Sequence, residues 1–234
     1  MVRVTVEKST RPATEPPPLD RRARRRQETI AEILDLAIAV MTEHGVNGLT
    51  VSEVARRLGV RAPSIYKYFP SIGALYDALF QRGMEENLCV LRAGMTNRQP
   101  GLDALTAGLE ASGRWVLQNQ ALAQLMFWRP VPSFEPSADA MAPSEEIAHL
   151  QMQAVADAVD VGELGQEALD QAGYLVAILI KGVLTQAMAN EPHLAWGHGR
   201  YTPLFPRLMS LLPAAYPPQH APRRRNRDPQ VKAT

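Results

Sequence analysis

Cysteine is almost absent from the sequence: Cys89 stands alone. A single cysteine excludes an internal disulfide and fits a reducing, cytoplasmic setting. With no partner cysteine and no metal-ligand spacing around it, Cys89 reads as helix packing rather than a sensor thiol. Long apolar runs are missing too. The longest, Tyr174 to Leu184, is interrupted by Lys181 and falls far short of the roughly 20 residues that span a bilayer. Met1 to Asp20 has no apolar core, so no secretory signal is expected. No membrane partner is implied. No strand-like alternation and no hairpin signal occurs from Gly83 onward.

The signatures of catalysis are lacking as well. The five histidines (His44, His149, His193, His198 and His220) form neither H-x-x-x-H nor H-E-x-x-H. There is no phosphate-cradling glycine loop and no G-x-S-x-G. Asp157, Asp160 and Glu163 at three-residue steps read as a solvated helix end rather than a metal site. His193 and His198 beside Trp196 are the one pair that would suit a metal, and nothing else supports it. No enzyme, cofactor or resident metal is expected.

What is present is a helical, soluble composition. The 234 residues are 46% hydrophobic and 21% charged, enough for a small domain plus a medium one. The net charge of +1 hides a segregation. Residues 1–83 carry 13 Lys and Arg against 9 Asp and Glu; residues 84–222 carry 7 against 14; the last twelve carry 5 against 1. A basic front and an acidic body suit a protein that offers one end to a polyanion.

The most informative stretch is Leu49 to Phe69. Thr50 and Glu53 form a capping box, in which the Thr hydroxyl takes the Glu53 amide and the Glu carboxylate reaches back to the Thr50 amide. Leu49 and Val54 stand where a hydrophobic staple sits. Val51, Val54, Ala55 and Leu58 share one helical face, with Arg56 and Arg57 on the other. Gly59 ends that helix, and Pro63 suits the first turn of the next. Ile65, Tyr68 and Phe69 give the second helix an apolar side. This is the pattern of a helix-turn-helix, whose second helix can lie in the DNA major groove. The outward residues Arg61, Ala62, Ser64, Tyr66 and Lys67 include no acid, which favours a polyanion partner over a merely solvated face. The competing reading is a helical small-molecule-binding or scaffolding protein in which these helices are only a packing unit.

The segment from about Ile30 to Phe80 resembles the N-terminal domain of TetR/AcrR-type transcriptional regulators. The resemblance rests on Ile33, Ala37, Gly45, Thr50, Val54, Ala55, Gly59, Val60, Ser64, Ile65, Tyr66, Tyr68, Phe69, Leu75 and Leu79. It covers roughly a fifth of the chain. Two positions depart from the pattern: Arg61, where the family often caps the recognition helix with Ser or Thr, and Ile72, where it often has a Lys. The resemblance implies an all-α protein, with a three-helix DNA-binding domain followed by a helical ligand-binding and dimerisation domain. It implies double-stranded operator DNA as partner, and a fourth helix that couples the two parts.

The expected organisation is a disordered arm at 1–20, a helix-turn-helix domain at 21–70, a ligand-binding and dimerisation domain at 71–215, and a basic disordered tail at 216–234. In this reading Arg61, Ser64, Tyr66, Lys67 and Tyr68, with Ala62 beside them, meet bases and phosphates. Thr50 and Ser52 touch the backbone at a helix N-terminus. Arg25, in the run Arg21 to Arg26, contacts phosphates or the minor groove.

Helices are expected over about 24–44, 102–118, 120–128, 144–159, 166–190 and 202–212, with Arg129 to Pro143 as a proline-rich connection. Leu175, Val176, Ile178, Leu179, Ile180, Val183 and Leu184 make the 166–190 helix apolar almost all round, so a second subunit is expected against it. The last two helices would form the homodimer seam. Lys181 is expected to reach the surface by its long stem. Trp115, Met126, Phe127, Trp128, Met152 and Tyr174 are candidates to line a pocket for an apolar or aromatic effector. The acidic balance of the body weighs toward a neutral or cationic one.

Overall fold

In a computed structural model, residues 21–132 and 134–218 are described. The proposed N-terminal arm and all but the first three residues of the basic tail lie outside that range. The described residues are helical throughout, with no strand among them.

Helix α1 spans Arg21–His44, one turn earlier than the apolar stripe alone indicates. Its buried side is Ile33, Leu34, Ala37, Val40 and Met41. Gly45 at φ 75° turns the chain into a single 3-10 turn, Val46–Gly48. Helix α2, Val51–Leu58, begins at Thr50, whose side-chain oxygen accepts from the Glu53 amide at 3.2 Å. The other half of the capping box does not form, because the Glu53 carboxylate is taken by Arg56 and Arg57. Gly59 adopts the left-handed conformation at φ 75°, and its amide closes on Ala55 and Arg56 carbonyls. An L side chain there would be strained. Helix α3 is a single turn, Ala62–Ile65, continued by non-helical turns to Phe69. Ile65 is fully buried, and α3 packs on α2.

Helix α4, Ile72–Met95, starts at Ser71, which accepts from the Ala74 amide at 3.0 Å. It is the axis of the molecule. One side meets α1 and the other lies along α5, Leu102–Gln118, and α7, Ala138–Asp160. Helix α6, Gln120–Ala123, runs into a π-helical turn, Gln124–Trp128. Helix α8, Ala168–Asn190, packs on α5 and α7 through Val176, Ile180, Val183 and Leu184. By length and composition α8 could cross a membrane, but that stripe sits in the helical core.

Several sequence expectations need correction. Helix α7 begins six residues before Ser144, and Pro143 lies inside it. The start is held from another helix. Asp77 on α4 accepts from the Ser137 amide and hydroxyl, both at 2.7 Å, and Ser137 accepts in turn from the Ala140 amide. Near a helix start Pro143 sacrifices one backbone bond, which this anchoring offsets. The single closing helix over 202–212 is instead a 3-10 turn, Thr202–Leu204, followed by α9, Phe205–Met209, and α10, Leu212–Ala215. Pro203, Pro206 and Pro213 supply no amide hydrogen, so the helix restarts at each. Cys89 is exposed on α4 rather than packed. Glu163, expected in a solvated helix end, accepts from the Leu102 amide at 2.8 Å and so caps α5.

Candidate nucleic-acid interface and ligand cavity

The charges on the helix-turn-helix divide into two kinds. Arg57 bonds Glu43 on α1 at 2.6 and 2.8 Å and Glu53 at 2.8 Å, and Arg56 bonds Glu53 at 2.8 and 2.7 Å. These hydrogen bonds, from Arg56 first and Arg57 second, pull the Glu53 carboxyl down to about 2. The bond from Arg57 likewise lowers Glu43, and the two carboxylates raise Arg57. Arg57 therefore ties α2 to α1, while Arg56 braces α2 from within. Arg61 and Lys67 are exposed and form no ion pair among the described residues.

The expected contact residues lie near the start of α1, at the start of α2, and on and around α3. Arg61 precedes α3 with an extended backbone and no side-chain cap. Tyr66 is 48% exposed; Ser64 and Ala62 are half-buried; Thr50 and Ser52 are exposed at the start of α2. Tyr68 differs from its neighbours. Its ring is half-buried and the Arg26 guanidinium lies 5.1 Å from its centroid, so the start of α1 covers one face. Arg25 is exposed one residue earlier. Ile72 is exposed at the first position of α4.

Helix α4 grips this reading head at two points. The buried Tyr76 hydroxyl donates to the Val46 carbonyl at 2.8 Å, and burial pushes its pKa up. Arg82 pairs with Asp35 on α1 at 2.7 Å and with Glu86 at 2.9 Å. On its other side α4 holds the body through Asp77 with Ser137 and Arg92 with Glu146.

The body encloses a cavity of about 410 Å³. Phe80, Met84 and Asn87 of α4 form one wall, and Leu109 and Ser112 of α5 another. The π-helical turn supplies Met126, Phe127 and Trp128, followed by Arg129. Helix α7 gives Met141, Ser144, Ile147 and Gln151; α8 gives Ala177, Ile180, Lys181 and Leu184. Met126, Phe127 and Trp128 thus line the cavity as expected of them. Trp115, Met152 and Tyr174 do not. Trp115 is buried in α5 on another side, Met152 is 59% exposed beside a shallow groove, and Tyr174 is 76% exposed. The residues missed from sequence include Phe80, Met84 and Asn87. Their i, i+4, i+7 spacing is a visible helical stripe, interrupted by an amide where an apolar residue would continue it. Lys181 is exposed but also belongs to the cavity rim.

A helix-turn-helix thus stands at the front of an all-helical body that holds a cavity, an arrangement that suits a DNA-binding domain joined to a ligand-binding one. Residues 33–79 match the family model of the bacterial regulatory proteins of the tetR family, so the helix-turn-helix domain is of the tetR type. Over 55 residues it is 40% identical to the tetracycline repressor protein class A from transposon 1721 of Escherichia coli, covering 24% of this chain and 26% of that one. The match thus spans about a quarter of that repressor's length. The fold extends further. The TetR-family regulator PfmR from Thermus thermophilus superposes with a TM-score of 0.62 at 18% identity, over 77% of this chain and 96% of that one. FadR from Bacillus subtilis in complex with stearoyl-CoA gives 0.58 at 17%, over 78% and 96%.

Proposed function

We propose that the protein is a cytoplasmic, ligand-responsive transcriptional repressor that binds a palindromic operator as a homodimer and is released by a small effector in the body cavity. The observation that carries this reading is the double attachment of α4. One stretch of it walls the cavity through Phe80, Met84 and Asn87, and the same helix holds the reading head through Tyr76 and Arg82. An effector that favours one position of α4 thereby favours one position of the reading heads. It shifts the population by its differential affinity for the two states and by no more. A related fold that holds stearoyl-CoA, FadR, supports an effector role for the body.

On DNA, Tyr66, Ser64, Ala62 and Arg61 would meet the major groove, with Lys67, Thr50, Ser52 and Arg25 on phosphates. Tyr68 is better placed to fix Arg26 and the backbone of the turn than to read a base. The homodimer would form on α8 and the short helices after it, where Tyr174, Ile178, Leu204 and Leu211 are exposed.

The test is fluorescence anisotropy of the purified protein on DNA from upstream of its own gene, at two salt concentrations and with excess unrelated DNA. Tight binding that survives the competitor is expected. Tyr66→Ala should abolish that binding while far-UV circular dichroism stays unchanged. Unaltered affinity in this variant counts against the docking. Equal, weak binding to both DNAs at every upstream and genome-selected fragment would favour a scaffolding protein.

A further inference from the structure

We infer that the cavity is built for a chiefly apolar anion carrying an oxygen acceptor at its buried end, with Asn87 as the residue that reads the acceptor. The inference rests on the ligand-binding role of the body proposed above and names the chemistry of that ligand.

The inner end is defined by Asn87. It is only 2% exposed, and its Oδ1 accepts from the Ser112 hydroxyl at 3.1 Å. That bond orients the amide and leaves Nδ2 as a buried donor with no partner among the described residues. Buried donors are almost always satisfied, because an unmade bond costs more than a made one gains. Asn87 lines the cavity, so a ligand oxygen can satisfy it.

The outer end is defined by charge. Arg129 and Lys181 line the same cavity, both are exposed at its mouth, and neither forms an ion pair among the described residues. Among the described residues, no Asp or Glu contributes to the lining. This stands against the composition of the body, where residues 84–222 hold 14 acids and 7 Lys and Arg. Two uncompensated cations at one mouth repel a cationic ligand, however inviting the adjacent Phe127 and Trp128 rings are. Arg129 is also held at φ 44°, directly after the π-helical turn. Left-handed backbone at a non-glycine residue and π-turns recur at functional sites, and here they set an arginine on a cavity wall.

Three probes of one shape test the inference on the full chain: 4-acetylbenzoate, 4-isopropylbenzoate and 4-isopropylbenzylamine. Binding is read by tryptophan fluorescence, since Trp128 lines the cavity, and by thermal shift. The acetyl compound should bind about 10-fold tighter than its isopropyl isostere, the worth of one buried hydrogen bond. The amine should bind more weakly than either. Asn87→Leu should make the two benzoates equal, and Arg129→Gln with Lys181→Gln should bring them toward the amine. Because Asn87→Leu alters a buried site, its circular dichroism and melting are recorded alongside, and the two surface variants give an independent reading. Binding of the amine as tight as the benzoates overturns the inference. So does an acetyl preference that survives Asn87→Leu, or no binding by any probe at millimolar concentration. Anisotropy of the DNA complex in parallel separates the two levels. Release by the amine alone overturns the ligand class and leaves the regulator; benzoate binding without release keeps the ligand class and counts against the regulator.

Discussion

At the scale of single residues, the cluster Glu43, Glu53, Arg56 and Arg57 shows how a local motif gives way to competing charged partners. The Thr50 half of the capping box was readable because its two groups are three residues apart. The Glu53 half lost to a competition within the same helix, where Arg56 and Arg57 offer charged donors in place of the Thr50 amide; only the link from Arg57 to Glu43 had to wait for α1 and α2 to pack. The pairing makes stability depend on acid. The Glu53 pKa lies near 2 in the folded protein against 4.5 ordinarily. A depressed carboxylate contributes stability that is fully present above about 4.5 and is lost as the pH falls through about 2. The urea midpoint followed by circular dichroism should therefore drop between those values. Glu53→Gln should remove much of that slope, and an equally steep drop in the variant would mean other carboxylates carry it.

At the scale of elements, α4 and α5 meet without side chains between them at Gly94 and Gly108. A Cβ on Gly94 would lie 2.8 Å from the Ala107 carbonyl oxygen and 2.8 Å from the Ala111 Cβ; one on Gly108 would lie 2.5 Å from the Met95 Cγ and 3.1 Å from the Leu91 carbonyl oxygen. The Met95 side chain can swing aside, but the neighbours of Gly94 are backbone or a single methyl and cannot. Gly94→Val should destabilise the protein by about 1–3 kcal/mol in urea unfolding, the usual cost of overpacking. The α5 boundaries were legible from Pro100-Gly101 and a clean apolar period, and they hold at Leu102–Gln118. The start of α7 was not, because Pro143 and the prolines before it read as a loop. The Asp77 anchor that permits a helix there lies sixty residues away in sequence. Nor was the π-turn at Gln124–Trp128, which differs from an α-helix only in hydrogen-bond register.

At the scale of the whole molecule, α8 leaves one face uncovered. Tyr174 is 76% exposed and Ile178 is 66% exposed, and Leu204 and Leu211 beyond the helix are about half exposed, at 47% and 54%. Exposed apolar side chains of this size suit the subunit seam proposed above. Ile178→Asp should give a folded monomer by sedimentation equilibrium, since it places a charge where a subunit seam would be dry. Operator affinity should then fall by at least about 10-fold, since the proposed dimer would engage two linked half-sites and a monomer only one. A variant that stays dimeric would place the seam elsewhere.

The sequence by itself determined the reading head. Its caps, glycine turn and apolar faces are local signals within about twenty residues, and local physics is what a sequence displays. It also determined that the chain is helical, and that its basic front differs from its acidic body. Only the tertiary structure decided which aromatics and methionines meet at one cavity: Met126, Phe127 and Trp128 but not Trp115, Met152 or Tyr174. It alone set Asn87 opposite Ser112, and Arg129 and Lys181 at one mouth. The reason is physical. Apolar side chains at helical spacing look alike whether they fill a core, wall a cavity or face a partner. The choice among the three is made by how helices far apart in sequence pack against one another.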